Sequence, residues 1–141
     1  MRVLLTGGAG YIGSHTCVEL IKAGHEVFIY DNLSNSNPKI LEKLERITTQ
    51  KIKLIIDDIR NFGSLKSALK DNKCDSVMHF AALKAVGDSV KDPIKYYENN
   101  VLGTINLLKA MKETSIKKII FSSSATVYGN PLYLPIKEDH P

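Results

Sequence analysis

Met1-Arg2-Val3-Leu4-Leu5-Thr6-Gly7-Gly8-Ala9-Gly10-Tyr11-Ile12-Gly13 opens the chain, and its reading decides the fold. Residues 2–6 form a short apolar run, the pattern of a strand buried on both faces. A glycine turn follows, and residues 12–23 carry a helical pattern. Strand, glycine turn and helix in that order bind the pyrophosphate of a dinucleotide. Glycine supplies positive φ there and lets a phosphate approach the backbone with no Cβ in the way. The helix points its free N–H groups and the positive end of its dipole at the anion. Two spacings overlap, Gly8-x-Gly10-x-x-Gly13 and Gly7-x-x-Gly10-x-x-Gly13, and both fit this role.

An acid is needed in register with that turn. Asp31 ends a second apolar run, Glu26-Val27-Phe28-Ile29-Tyr30, eighteen residues after Gly13. A carboxylate there accepts hydrogen bonds from the hydroxyls of an adenosine ribose, and its charge repels a 2′-phosphate. No arginine lies between Gly13 and Arg46 to receive such a phosphate. The expected cofactor is therefore NAD rather than NADP.

Strand and helix signals alternate along the whole chain. Apolar runs at 2–6, 25–30, 52–57, 76–81 and 117–122 are short and rich in Val, Ile, Leu or Phe. Helical patterns lie near 12–23, 38–48, 62–71 and 93–113. In the last, Ile94, Tyr97, Val101, Ile105, Leu108 and Met111 recur at three- and four-residue spacing. Asp92 and Asn61 are expected N-caps, and Pro93 suits a first turn. Such alternation predicts an α/β fold, a doubly wound parallel sheet in the order 3-2-1-4-5. Its ligand crevice belongs at the carboxyl ends of the strands. Residues just past each strand suit a crevice: Asp31-Asn32, Asp57-Asp58, the small Ala81-Ala82 before Leu83-Lys84, and Ser122-Ser123-Ser124. Asp58 is expected to meet the adenine amino group, and Lys84 to place a cation near phosphate or ribose.

Composition excludes several classes. The 141 residues carry 43% hydrophobic and 24% charged side chains, which suits one ordinary globular domain. No apolar run nears the length of a membrane span. The first strand begins at Arg2, which leaves no room for a cleaved leader, so the cytoplasm is the expected location. Net charge of +4 comes from scattered lysines rather than a basic stripe interleaved with aromatics, so no nucleic-acid partner is expected. Cys17 and Cys74 are too few for a disulfide framework, and Cys17 reads as a small core residue. His15, His25, His79 and His140 show no paired spacing, and no metal site is expected.

These motifs resemble the extended short-chain dehydrogenase/reductase family. The turn Thr6 to Gly13 carries the resemblance, and so do Tyr11 to Thr16 and Asp31-Asn32-Leu33. His79 to Gly87, Tyr96 to Val101 and Ser122 to Gly129 extend it over nearly the whole chain. Among the family's branches the likeness is to sugar-nucleotide 4-epimerases. It implies NAD as a bound prosthetic group and UDP-galactose or UDP-glucose as substrate, with a 4-keto sugar between them. A homodimer is implied for the full-length enzyme. By the same resemblance Tyr11, Ile12, Asn32, Leu33, Ser34, Asn35, Ser36, Ile59, Phe80, Leu83, Asn99 and Ser122 join Gly7, Gly10, Gly13, Asp31, Asp58, Ala81, Ala82 and Lys84 at the cofactor. Asn99 has a second reading, as a helix asparagine bonded to backbone. Ser124 is the implied catalytic and substrate-binding residue, with Thr126 beside the sugar. The serine run also reads simply as a hydroxyl-capped strand end.

Two positions narrow the branch. The family's 4,6-dehydratases carry an Asp-Glu pair between the serines and Val127-Tyr128-Gly129, because loss of water needs an extra acid and base. This chain has Ala125 and Thr126, neither ionisable. The family's base is the tyrosine of a Tyr-x-x-x-Lys pair on a helix. Here the string Tyr133-Leu134-Pro135-Ile136-Lys137 has a proline inside it, which breaks a helix. The expectation is therefore an incomplete NAD-binding domain over 1–141, truncated before the last strands, with the substrate domain absent and no turnover by these residues alone. A 4-epimerase for another UDP-sugar and a non-catalytic NAD-binding module are the alternative readings.

Overall fold

A computed structural model describes residues 1–141. Five parallel strands form one sheet: β1 Arg2–Thr6, β2 Glu26–Asp31, β3 Lys53–Ile56, β4 Ser76–His79 and β5 Lys118–Phe121. Their order is β3-β2-β1-β4-β5, as the alternation of elements predicts. Helices α1 Tyr11–Lys22 and α2 Lys39–Thr48 cover one face. Helix α3 Phe62–Asp71 and the carboxyl-terminal helix described below cover the other.

The period-two alternation of strand side chains builds two cores from one sheet. Val3, Leu5, Val27 and Ile29 point to Cys17, Ile21 and Leu44 on one side. Leu4, Phe28 and Val77 point to Leu65, Leu69, Leu107 and Met111 on the other. Each fully buried aliphatic side chain contributes about 1.5–3 kcal/mol. Both faces are covered, so the strands read as apolar runs rather than as alternating ones.

The stretch 93–113 departs from its expected single helix. It is preceded by α4 Val86–Lys91, a short helix with too little apolar period to read from sequence, and begins as α5 Pro93–Tyr96. A π-helical segment, Tyr97–Leu102, then leads into α6 Gly103–Glu113. Asp92 caps α5 as expected, its Oδ1 accepting from the backbone N–H of Lys95 at 3.1 Å, with Pro93 in the first turn. Asn61 caps α3 through Ser64 N–H at 3.2 Å. Asn100 turns its amide onto the loop after β4, donating to Leu83 C=O at 2.9 Å and accepting from Leu83 N–H at 2.8 Å. Of the apolar stripe, only Met111 is buried, and Ile94, Tyr97, Val101, Ile105 and Leu108 are exposed. The buried face is Gly103, Leu107, Ala110 and Met111.

Cys17 and Cys74 lie in the two separate cores, on opposite faces of the sheet. Burial pushes each thiol up to about 11. Thiolate is the reactive form, so both are expected to resist alkylation in the native state. Intact-mass analysis after iodoacetamide at pH 8 should show no adduct on the folded protein and two in denaturant. A native adduct would mean that one core opens readily. No helix is long and apolar enough to cross a membrane.

Candidate functional site

A cleft of about 600 Å³ runs along the carboxyl ends of the strands. That volume lies in the range of small-molecule and cofactor sites. Every strand end contributes to its wall, from the glycine turn after β1 to Ser122 after β5.

The glycines divide their work by position. At Gly7 φ is +69°, and a Cβ there would stand 2.6 Å from the backbone N of Ala81. This residue lets the turn leave β1 tight against the end of β4. A Cβ on Gly13 would stand 2.4 Å from the carbonyl oxygen of Gly7, so a bare Cα lets α1 start directly on the turn. Gly10 faces the cleft with only Gly7 oxygen within reach, at 3.3 Å. Gly8 lies against Leu5 and Ile29 in the core. Of the two overlapping spacings, Gly7-x-x-Gly10-x-x-Gly13 therefore shapes the cleft.

Helix α1 begins at this turn without a side-chain cap and with no acidic residue in its first turn. Ser14 N–H bonds to Gly10 C=O, and the N–H groups of Tyr11, Ile12 and Gly13 find no acceptor in the chain. Three free donors and a positive dipole end thus open onto the cleft, the chemistry that suits a phosphate.

Asp31 stands beside the turn, nearly buried. Its Oδ2 accepts from Ala9 N–H at 3.0 Å, and its Oδ1 from Leu33 N–H at 2.8 Å and Ser36 Oγ at 3.0 Å. One carboxylate thereby ties the glycine turn to the loop after β2. A carboxylate offers about four acceptor sites, so one remains for a ligand hydroxyl.

Past β3, Asp58 is held by its neighbours. Arg60 donates through its backbone N, Nε and Nη2 at 2.8, 2.9 and 2.9 Å, and Asn32 Nδ2 donates at 2.8 Å. The guanidinium pair, together with these bonds, holds the Asp58 carboxyl well below the usual carboxylate range.

At the other end a polar chain crosses the sheet. Thr104 donates its hydroxyl proton to Asn100 C=O, which leaves its oxygen to accept from His79 Nε2 at 2.9 Å. His79 Nδ1 then accepts from Thr6 Oγ1. Asn100 Oδ1 also accepts from Asn99 Nδ2 at 2.9 Å, which aims Asn99 from the π segment toward the cleft it lines. His79 is 3% exposed, and burial lowers its pKa to about 4. The sign follows from linkage. Unfolded His79 takes up its proton near 6.5, whereas the folded residue stays neutral to about 4. Stability is then full above pH 6.5 and falls by about 3 kcal/mol as pH drops through that window. Urea melts at pH 7 and pH 4.5 should show this loss, and His79→Leu should flatten it. An equal loss in that variant would place the pH dependence elsewhere. Asp57 and Asp58, both with lowered pKa, add losses only below pH 4.

A family model described as GDP-mannose 4,6 dehydratase matches residues 4–141. The UDP-glucose 4-epimerase of Klebsiella pneumoniae is 52% identical over 138 residues, covering 98% of this chain and 99% of that one. The chain belongs to the extended short-chain dehydrogenase/reductase family, in its UDP-glucose 4-epimerase branch. A second relative in that branch, from Bacillus subtilis (strain 168), is 50% identical over 141 residues. The match covers this whole chain but only 42% of the Bacillus protein's length. The solved UDP-glucose 4-epimerase of Bifidobacterium longum, described in complex with NAD+ and UDP, superposes with a TM-score of 0.95 at 50% identity. It too is matched over all of this chain and 42% of its own.

Within this family framework, the cleft collects Gly7, Gly10, Tyr11, Ile12, Gly13, Asp31, Asn32, Ser34, Asn35, Ser36, Ile59, Phe80, Ala81, Ala82, Leu83, Lys84, Asn99 and Ser122. Four residues singled out from sequence lie off its wall. Leu33 turns its side chain into the core beside α1 and α2. Asp58 lies behind Asn32 and Arg60. Ser124 and Thr126 stand exposed beyond β5, their hydroxyls 2.9 Å apart, with Ser124 capping a short 3-10 turn at Ala125–Tyr128. Asp57, one of the strand-end residues expected at a crevice, lines the cleft, and so do Tyr30, Arg60, Ala85, Asp88, Lys95 and Tyr96, which sequence alone does not single out. Arg60 follows the acidic pair after β3, a strand-end position that could have drawn attention. Lys95 and Tyr96 come from α5, which Tyr96 ties back to the loop before α4 by donating its hydroxyl to Ala85 C=O at 2.7 Å, and no periodicity signals that contact.

Proposed function

We propose that these residues hold NAD for an enzyme that interconverts UDP-galactose and UDP-glucose by inverting C4 of the hexose. One juxtaposition carries the reading: a Cβ-free turn, an uncapped helix start and an anchored carboxylate meet in one cleft. The identity to an epimerase described with NAD+ and UDP supports it. NAD, held there, supplies a reversible hydride acceptor for C4 of the sugar.

The chain's own groups divide the remaining work. The free N–H groups of Tyr11, Ile12 and Gly13 suit the pyrophosphate, and the open acceptor site of Asp31 suits a ribose hydroxyl. Arg60, the arginine on the cleft wall, already spends its guanidinium on Asp58 and is not free for a 2′-phosphate. That favours NAD over NADP. Lys84 adds a cation at the cleft wall. Ser124, whose Oγ lies 2.9 Å from Thr126 Oγ1, is the residue to which the family resemblance gives the relay of the 4-hydroxyl proton. Ala125 and Thr126 offer no acid or base for eliminating water, which sets this chain apart from dehydratases.

Tyr133 and Lys137 lie in a segment without helix, so they do not share a helical face. We therefore read 1–141 as the cofactor domain, with the tyrosine base and the uridine grip outside it. By itself it should bind NAD without turnover. A second copy covering the exposed stripe Ile94, Tyr97, Val101, Ile105 and Leu108, and a cytoplasmic location, complete the proposal.

Two assays test it. Calorimetric titration of the 141-residue chain should show NAD+ binding and none of comparable strength for NADP+. The protein expressed from its whole reading frame should convert UDP-galactose to UDP-glucose in a coupled assay. Failure to bind NAD+ would overturn the reading. Binding without conversion by the whole product would favour the non-catalytic module, and conversion of another UDP-sugar alone would move the substrate.

A further inference from the structure

The stretch 122–141, which follows β5, holds one buried side chain, His140, at 7% exposed. Ser122 and Tyr128 are half-buried, and the other residues of the stretch are exposed. The imidazole is held at both nitrogens. Nε2 accepts from Leu132 N–H at 3.1 Å, so the proton sits on Nδ1, which donates to Pro141 C=O at 3.0 Å. Two tyrosines hold the ring as well. Tyr133 packs on it at a tilt, with centroids 4.7 Å apart, and Tyr128 meets it edge-on at 5.7 Å. Tilted and edge-to-face pairs are favoured arrangements for such rings. His140 is thus a small core for an otherwise exposed segment, and Tyr133, which shares no helix with Lys137, forms one wall of its seat.

That core meets the turn that carries Ser124 and Thr126. Val127 N–H bonds to Ser124 C=O and Gly129 N–H to Thr126 C=O, each at 3.1 Å, so Ser124 to Gly129 form one bonded unit. Ser124 Oγ also accepts from Thr126 N–H at 3.3 Å. The unit is fixed at two places. At its start Ser122 N–H bonds to His79 C=O of β4 at 3.1 Å. At its end Tyr128 is the half-buried residue of the turn, and the aromatic ring it meets is His140. Ala125, Thr126 and Val127 between them are exposed.

Resting on the epimerase reading above, which gives Ser124 the relay of the 4-hydroxyl proton, we propose that His140 is a positioning residue for that relay. It acts through Tyr128 rather than on the substrate. With His140 in place the turn is braced at both ends, and the Ser124 hydroxyl has one location. Without it the turn is tied only at β5 and swings about that end. A reacting group misplaced by about 1 Å costs about a hundredfold in rate, even when the change lies far from the chemistry.

The test is a double-mutant cycle on the protein expressed from its whole reading frame, with kcat and KM for UDP-galactose read in the coupled assay. His140→Ala should lower kcat by about tenfold to a hundredfold, with KM and bound NAD near the parental values. His140→Gln, whose side-chain oxygen can still accept from Leu132 N–H, should recover part of that loss. On a Ser124→Ala background, His140→Ala should change kcat by less than about threefold, because the hydroxyl it positions is gone. Urea melts accompany the kinetics, and if His140→Ala does not fold, His140→Gln takes its place in the cycle with the same expectation. An equal factor on both backgrounds would make His140 a structural brace only and overturn the proposal, as would a parental kcat in His140→Ala. No turnover of UDP-galactose by the unaltered protein would overturn the epimerase reading and this inference with it, so the two failures are distinguishable.

Discussion

Replacing Gly13 by alanine is expected to remove NAD+ binding while leaving a weakened fold. The added Cβ would stand 2.4 Å from Gly7 oxygen and 2.7 Å from Gly8 Cα, both backbone atoms of the turn. A flexible side chain could swing aside, but this turn cannot. It is fixed by Gly7 N–H to Tyr30 C=O at 2.8 Å and by Ala9 N–H to Asp31 at 3.0 Å. Either α1 slides away from the turn or the turn opens. Both displace the free N–H groups at the start of α1. Losing two charge-assisted bonds to a phosphate, at about 1.5–3 kcal/mol each, lowers affinity by roughly a hundredfold or more. Overpacking adds about 1–3 kcal/mol of lost stability. Gly87→Ala is the control. It lies in α4, where an added Cβ would meet nothing within 4 Å and φ is not positive. That substitution should leave NAD+ affinity at the parental value and raise stability by about 0.4–1 kcal/mol, the opposite sign to Gly13→Ala. Calorimetry and urea melts on the three proteins decide the matter. Parental NAD+ affinity in Gly13→Ala would mean that the turn is not the phosphate cradle.

That prediction shows which parts of the site a sequence exposes. The turn is legible because strand, glycines and helix are contiguous, and backbone sterics tie each glycine to a place. Sheet order follows from the alternation of elements, since parallel crossovers leave few arrangements. The division of labour among the glycines is not legible. It depends on Ala81, far along the chain from the turn, whose backbone passes within 2.6 Å of a Cβ on Gly7. A long-range approach of that kind leaves no local mark on the sequence.

The helical stretch after β4 fails to read for a related reason. Its three- and four-residue apolar spacing is real, yet most of that stripe faces outward and the π segment interrupts it. From within that segment Asn100 bonds both backbone groups of Leu83, a long-range contact that no local spacing announces. Asn100 Oδ1 also holds Asn99 Nδ2, so the irregular segment contributes directly to the site. Gly103 completes the arrangement. Its missing Cβ would fall 2.4 Å from Ile59 Cδ1, and this lets α6 close on the residue that lines the cleft past β3.

Asp31→Ala is expected to cost the protein both stability and its choice of cofactor. The substitution strands three donors at once: Ala9 N–H, Leu33 N–H and Ser36 Oγ. Ala9 is buried at the turn, so water cannot easily replace its partner. Each buried donor left unpaired costs about 1–3 kcal/mol, which puts the total loss near 3 kcal/mol. Asp31→Asn should lose less, because one amide oxygen still accepts from one side, but it cannot serve the turn and the β2 loop together. The effect on ligands separates this from simple loosening. Without the carboxylate a ribose loses its acceptor, and affinity for NAD+ should fall about tenfold to a hundredfold. A 2′-phosphate meanwhile loses a repelling charge, so NADP+ should gain relative to NAD+. General damage to the cleft would lower both affinities alike. The ratio of the two, measured by calorimetry beside urea melts, is therefore the deciding quantity. A ratio that stays at the parental value would remove Asp31 from the ribose and leave it as the brace between the turn and the β2 loop.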